Sequence, residues 1–295
     1  MSFVYAEKYR ETGFDSELFH VLCDTKTILT DFAGANLSAA GRDMLSKYGI
    51  VKSTICCPEL CVSFAGSDIR YAAKLFRQLE DRRFFELDEV SDLALSIHRE
   101  ASSQNDIEFI ISTYQNDTVH IDCIKENKIY KDVPNAHIGS EDAFRRFQEL
   151  RIRPDSADRA GEPAYKRTTH AFQSVVDSGA DDTVGGITVR AIFGYQEKSF
   201  IYGWERTFHS SKPQIVQLGE AIPFDLSARD GGYSHEIVPI DLQNILCIVD
   251  QMNPRILYSR NFRLDSSDIE NPNLSGLMMP MLVEVNEKGE CVRCR

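Results

Sequence analysis

Within its first 66 residues the chain spells out four short runs of strand length, and then the spacing of its apolar residues changes. SFVYAEKY (2–9), LFHVLCDT (18–25), YGIVKSTICC (48–57) and LCVSFAG (60–66) are rich in β-branched and aromatic residues. Such runs favour a pleated, half-buried surface. RETGFDSE separates the first two, and Pro58-Glu59 turns the third into the fourth, so two hairpins are expected. Residues 31–49 are small, polar and Gly-containing, with room for a short helix. From GSDIRYAAKLFRQLEDRR (66–83) onward, Ile69, Ala72, Ala73, Phe76 and Leu79 fall on one stripe. That period is helical, with Ser67 as the expected cap and Asp68 in the first turn. Val90, Leu93, Ala94 and Ile97 define a second helix over 87–102.

Strand runs return at 106–113, 118–124 and 128–133, joined by Asn116-Asp117 and Glu126-Asn127. IGSEDAFRRFQEL (138–150) reads as a helix capped by Ser140, and AYKRTTHAFQSVVDSGA as another over 164–178. ITVRAIFG (187–194) and KSFIYGW (198–204) form a further hairpin. Hairpin strands are antiparallel. Helices grouped between strand blocks imply layers rather than a βαβ series. The fold class is therefore α+β. Two antiparallel sheets with helices on both outer faces satisfy the pattern, as does a single covered sheet; periodicity leaves both open. Residues 1–204 are expected to form the core. Residues 205–295 form a C-terminal extension that continues the sheets or makes a small appended subdomain.

Composition removes several classes. Apolar residues make up 42% and charged residues 26%, which excludes a mainly disordered or low-complexity chain. No apolar window approaches membrane-span length, and MSFVYAEKYRETG lacks a signal peptide's long apolar segment. A soluble, cytoplasmic protein without a membrane partner is expected. Lys plus Arg number 33 against 45 Asp plus Glu, a net charge of −12 that repels a phosphate backbone, so no nucleic-acid partner is expected. The densest basic stretch is RRFQELRIRP at 145–154. The eight cysteines lie mostly in apolar runs and read as buried hydrophobes of a reducing compartment. Cys291 and Cys294 have CxxC spacing, which is half a zinc site without an obvious second pair. The seven histidines are scattered without HExxH spacing, and no metal or cofactor is expected.

An ordered series of short motifs points further. Asp24 follows a strand in LCDTKT, Lys52 lies in GIVKSTICC, and the next strand ends in SFAG. A helix from Ser67, a second helix, a strand block and an IGS turn at 138–140 follow, and ADDTVGGITVRAI then opens a late strand. Over about residues 2–204 this order resembles the proteasome β-type subunits and, more widely, the N-terminal-nucleophile hydrolases. The resemblance implies a four-layer αββα sandwich and a nucleophile at the free chain start. Ser2 is the candidate, exposed once Met1 is removed. Asp24, Lys52, Ser140 and Asp182 are the implied companions, with Ala65 and Gly66 near the oxyanion. It also implies a peptide or small amide substrate and self-association into a ring or a smaller oligomer. The chain departs from the pattern at Gly185, in place of a serine, and at Glu141, in place of a glycine; a bulky Phe3 follows the nucleophile. A divergent member that has lost catalysis and serves as a scaffold or recognition protein is the alternative.

The chemistry can be stated from the groups themselves. A serine hydroxyl needs a base, and a free α-amine titrates near pH 8 (about 7.7–8.0). Such an amine can take the hydroxyl proton and return it to the leaving group. A neighbouring ammonium, Lys52, holds the amine neutral and favours the developing alkoxide. Asp24 would orient and balance Lys52.

Overall fold

A computed structural model gives the fold, describing residues 2–10, 17–26, 50–81, 86–101, 107–152, 163–186, 188–195 and 198–202, with the strands 222–223, 237–241, 245–248, 255–259, 279–285 and 290–293 beyond them. The expected short helix within 31–49 lies outside these residues, as does Trp204.

The architecture is α+β, with two antiparallel five-stranded sheets flanked by four helices. In the first sheet β1 (Phe3–Tyr9) lies between β2 (Leu18–Cys23) and β8 (Asn135–Gly139); β9 (Val189–Gly194) and β10 (Ser199–Tyr202) continue beyond β2. The second sheet runs in chain order through β3 (Ser53–Cys57), β4 (Leu60–Gly66), β5 (Ile107–Gln115), β6 (Thr118–Lys125) and β7 (Lys128–Tyr130). Asn116, Asp117, Glu126 and Asn127 all have positive φ, the backbone that two-residue hairpin loops demand.

Alternation along the strands sorts the core into three layers. Val4, Ala6, Val21 and Cys23 of the first sheet meet Ile55, Cys61, Ala65 and Ile110 of the second. On the far side of the second sheet, Val62, Phe64, Phe109 and Ile111 pack against α1 (Ile69–Asp81) and α2 (Leu87–Glu100). All five residues of the expected α1 stripe are in that layer. On the far side of the first sheet, Phe3, Tyr5 and Leu22 pack against α3 (Glu141–Ile152) and α4 (Ala164–Ser178). A period of two in β1 thus sends odd residues to the helices and even residues to the other sheet.

Strand bounds shift as well, the run 48–57 starting only at Ser53 and 128–133 ending at Tyr130, and two readings at helix starts change in detail. The α1 cap is Asp68, not Ser67: its Oδ1 accepts the Arg70 N–H at 3.0 Å. A carboxylate there also meets the positive end of the helix. The helix expected behind a Ser140 cap begins at Glu141, and Ile138 and Gly139, read as part of a turn, finish strand β8 instead. Ser140 caps α3, accepting the Ala143 N–H at 3.1 Å.

The later strands form a separate six-stranded antiparallel sheet: β11 (Ile222–Pro223), β12 (Ile237–Asp241), β13 (Ile245–Ile248), β14 (Arg255–Ser259), β15 (Met279–Val285) and β16 (Glu290–Arg293). Cys291 is in β16, and Cys294 lies outside the described residues. No helix among the described residues is long and apolar enough to cross a membrane.

Candidate active site

One buried carboxylate gathers the start of the chain, the approach to β3 and the loop before β9. Asp24, fully buried at the end of β2, accepts the Phe3 N–H on Oδ1 at 2.9 Å. The same oxygen accepts the Lys52 ammonium at 2.9 Å, while Oδ2 accepts the Gly185 N–H at 3.2 Å. Lys52 also donates to the Lys26 carbonyl at 2.6 Å. Lys52 is 2% exposed and Asp24 0%, so both charges are inside. Burial holds the Asp24 carboxyl above its ordinary range, and the Lys52 ammonium with the Phe3 and Gly185 N–H groups offsets only part of that rise. Two of the three ammonium donors are taken by these bonds.

The chain start is fixed from the other side by the β8–α3 turn. Ser140 donates its backbone N–H to the Ser2 carbonyl at 2.7 Å. Gly139, at φ +94°, lies opposite Phe3; a Cβ on it would stand 1.9 Å from the Ser2 oxygen and 3.1 Å from the Ala65 Cβ. Only glycine permits that approach. Ser2 is 5% exposed and precedes the strand whose even residues face the opposite sheet. Phe3 does not crowd that side. Its ring points to the helices, stacked on Phe172 at 4.7 Å and edge-on to Phe147 at 5.7 Å. The bulky residue after Ser2 is thus an anchor in the outer layer.

The residues named from sequence are distributed as follows. Asp24, Lys52 and Ser140 are buried within one or two bonds of the Ser2–Phe3 backbone. Ala65 packs beside Gly139, and Gly66 ends β4 next to it. Asp182 is exposed and does not join them. Its neighbour Asp181 does: Ser140 Oγ donates to Asp181 Oδ2, and the Thr183 N–H donates to Asp181 Oδ1 at 2.8 Å. Burial pushes the Asp181 carboxyl up, but the donated bonds from Ser140 and Thr183 outweigh it and leave it below the usual range. With Asp181 in register, the residue three further on is Val184, 1% exposed, followed by Gly185 and Gly186. Counted from Asp181 rather than Asp182, the place that the resemblance gives to a serine falls on Val184 instead of Gly185. Gly186, at φ +79°, carries the chain past Thr25, whose Oγ1 a Cβ would meet at 2.5 Å.

Three contributors escaped sequence reasoning. Gly139 was visible only as part of a turn, Asp181 was passed over for its neighbour, and Glu108 was an acid inside an apolar strand. Glu108 Oε2 accepts the Gly139 N–H at 2.9 Å.

Other polar clusters lie away from this site. Glu7 accepts Tyr5 Oη at 2.8 Å, Arg151 Nη2 at 2.6 Å and Thr168 Oγ1 at 3.0 Å beneath α3 and α4. In the described part of the basic stretch each arginine has an acidic neighbour: Arg145 lies 3.4 Å from Asp142, Arg146 lies 3.3 Å from Glu149, and Arg151 bonds Glu7. His98 is a structural bridge, with Nδ1 on the Ile107 carbonyl and Nε2 accepting the Asn127 N–H. Among the described residues no cluster of His, Cys, Asp and Glu suits a metal ion.

Compared with known proteins, the chain matches no family model and no curated protein.

Proposed function

We propose that this protein is an N-terminal serine amidohydrolase of the proteasome β-like, N-terminal-nucleophile kind, with Ser2 as nucleophile after removal of Met1. The observation that carries the reading is the buried Lys52–Asp24 pair, whose carboxylate also holds the N–H of the residue directly after Ser2. A lysine buried at 2% exposure beside a chain start needs a reason, because an apolar side chain would pack there without a desolvation cost. The two-sheet architecture with flanking helices and the Ser140–Asp181 contact support the same reading.

In the proposed reaction the liberated α-amine takes the Ser2 hydroxyl proton while Oγ attacks an amide carbonyl. The C–N bond of the tetrahedral intermediate then breaks, the proton passes to the leaving amine, and an ester on Ser2 remains. Water, deprotonated by the same amine, hydrolyses that ester. Lys52 opposes protonation of the amine in the resting site and stabilises negative charge on Oγ. Backbone N–H groups of the Ala65–Gly66 segment serve the carbonyl oxygen. The substrate is a peptide or a small amide, and self-association into a ring or a smaller oligomer is part of the proposal.

The test begins with mass spectrometry of the purified chain, which should show Met1 removed. An electrophilic amide mimic should then label Ser2 in the wild type and fail to label Ser2→Ala or Lys52→Ala. Labelling that persists in Ser2→Ala eliminates this nucleophile. A second reading is favoured by one observation. Val184 occupies the place where the resemblance implies a supporting hydroxyl, which suits a silent scaffold or recognition protein. A retained Met1 and an unlabelled wild type would select that reading.

A further inference from the structure

We propose that Glu108 is the positioning residue for Ser2, acting through Gly139; the catalytic consequence of this role rests on the hydrolase reading above. Glu108 lies on β5, opposite Ala65 of β4. Its neighbours Ile107 and Phe109 face the helices, whereas Ile110 faces the other sheet. The alternation therefore turns the Glu108 carboxylate inward, into the layer between the sheets. From there it crosses to the first sheet and takes the Gly139 N–H at 2.9 Å.

Gly139 links Glu108 to Ser2. It ends β8 opposite Phe3, and its Cα is pressed so closely on the Ser2 carbonyl that no side chain fits. The next N–H, that of Ser140, is the donor to that carbonyl at 2.7 Å. The order of contacts is Glu108, Gly139, Ser140, Ser2, each joined to the next by a bond or by sequence. The carboxylate thus sets the height of the turn on which the chain start rests. A carboxylate accepting a backbone N–H makes a charge-assisted bond, about twice as strong as a neutral one. It also ties the two sheets together beside Ser2. Asp24 fixes Phe3 from one side, and Glu108 fixes Ser2 from the other.

The test uses the full chain with Glu108→Ala, Glu108→Gln and, as control, Ser91→Ala, which removes the bond from Ser91 Oγ to Asp122 on α2 and β6. Amide hydrogen exchange reads the geometry without activity. In Glu108→Ala the Gly139 amide should exchange at least about tenfold faster and the Ser140 amide several-fold faster, with Glu108→Gln restoring both. The rate of Ser2 labelling by an electrophilic amide mimic should fall about tenfold in Glu108→Ala and return in Glu108→Gln, while Ser91→Ala leaves it unchanged. Where Glu108→Ala does not fold, Glu108→Asp, one methylene short of Gly139, takes its place. Exchange that rises at Gly139 alone overturns the role, as does, in a chain whose wild type is labelled, an equal rate of labelling in Glu108→Ala. Exchange that spreads to Ser140 in a chain whose wild type is never labelled refutes the hydrolase reading and leaves the positioning intact.

Discussion

Lys52→Met replaces a buried ammonium by an apolar chain of similar length and leaves Asp24 without its charged partner. Breaking a buried ion pair from one side costs about 3–5 kcal/mol, because the survivor keeps its desolvation cost. Here the Asp24 carboxylate retains the N–H groups of Phe3 and Gly185, so the lower end, about 3 kcal/mol, is expected. For a folded unit of this size that loss lowers Tm by about 6–12 °C. Asp24→Asn removes the charge that balances the ammonium, leaving it a neutral amide oxygen and the Lys26 carbonyl, and falls in the same range. The double variant removes both charges together, so its loss should be smaller than the sum of the singles by about 2 kcal/mol. Urea unfolding of the four full-length chains, followed by far-UV circular dichroism at pH 7, measures every corner of this cycle. Single variants each within about 1 kcal/mol of wild type, with additive effects in the double, would refute the claim that the two charges are buried and bonded to each other.

Gly139→Ala should cost about 3 kcal/mol or more, since the new Cβ meets the Ser2 carbonyl at 1.9 Å and the backbone is at φ +94°; a Tm within 2 °C of wild type, by about the same conversion, would contradict it. The Glu7 cluster sets the acid response. Burial alone would raise the Glu7 carboxyl, but His20, Arg151 and Tyr5 bring it down to about 2 from its ordinary 4.5. Its stabilising share is complete above pH 4.5 and disappears as the pH falls toward about 2, up to about 3 kcal/mol in all. His20 is fully buried, and burial lowers its pKa below 6.5. The unfolded chain accepts a proton that the folded one refuses, so stability also declines as the pH drops below 6.5. His20 Nε2 faces Glu7 Oε1 at 3.2 Å, and Nδ1 has no hydrogen-bond partner among the described residues. His20→Leu should therefore lose the part of the acid decline that begins below pH 6.5, while the Glu7 carboxyl, without the ring beside it, is held less low; a Tm profile from pH 7 to 3 identical to that of wild type would exclude this account.

Much of the sandwich was legible because its signals are local. Strand alternation in SFVYAEKY and LCVSFAG needs only neighbouring residues, as do the α1 stripe and the Asn116-Asp117 turn. Strand β8 was not legible. Asn135, Ala136, His137 and Gly139 have little preference for a strand, and the segment is one because β1 offers it an unpaired edge. Asp181 and Asp182 are adjacent acids of equal propensity, so composition cannot tell them apart. Spacing could have: counting four back from Gly185 reaches Asp181, the acid that bonds Ser140. Glu108 stood out as an acid among apolar residues, but its partner is 31 residues away on the other sheet, and nothing local names it.

The Lys52–Asp24 pair separates stability from the proposed chemistry. Evolution toward stability alone would favour an apolar pair of similar volume, which buried ion pairs rarely outperform. The pair nonetheless sits where its carboxylate fixes Phe3 and its ammonium lies at the approach to the chain start. Val184 points the other way, since a buried valine cannot donate to Asp181 or to an amine. The two observations conflict only if Asp181 needs a second hydroxyl to hold Ser140. Thr183 supplies one, donating Oγ1 to Asp181 Oδ1 at 2.6 Å from one position earlier in the chain. A side-chain hydroxyl is therefore still present on that carboxylate, displaced by one residue, and the substitution at Val184 does not by itself empty the site of its supporting bonds.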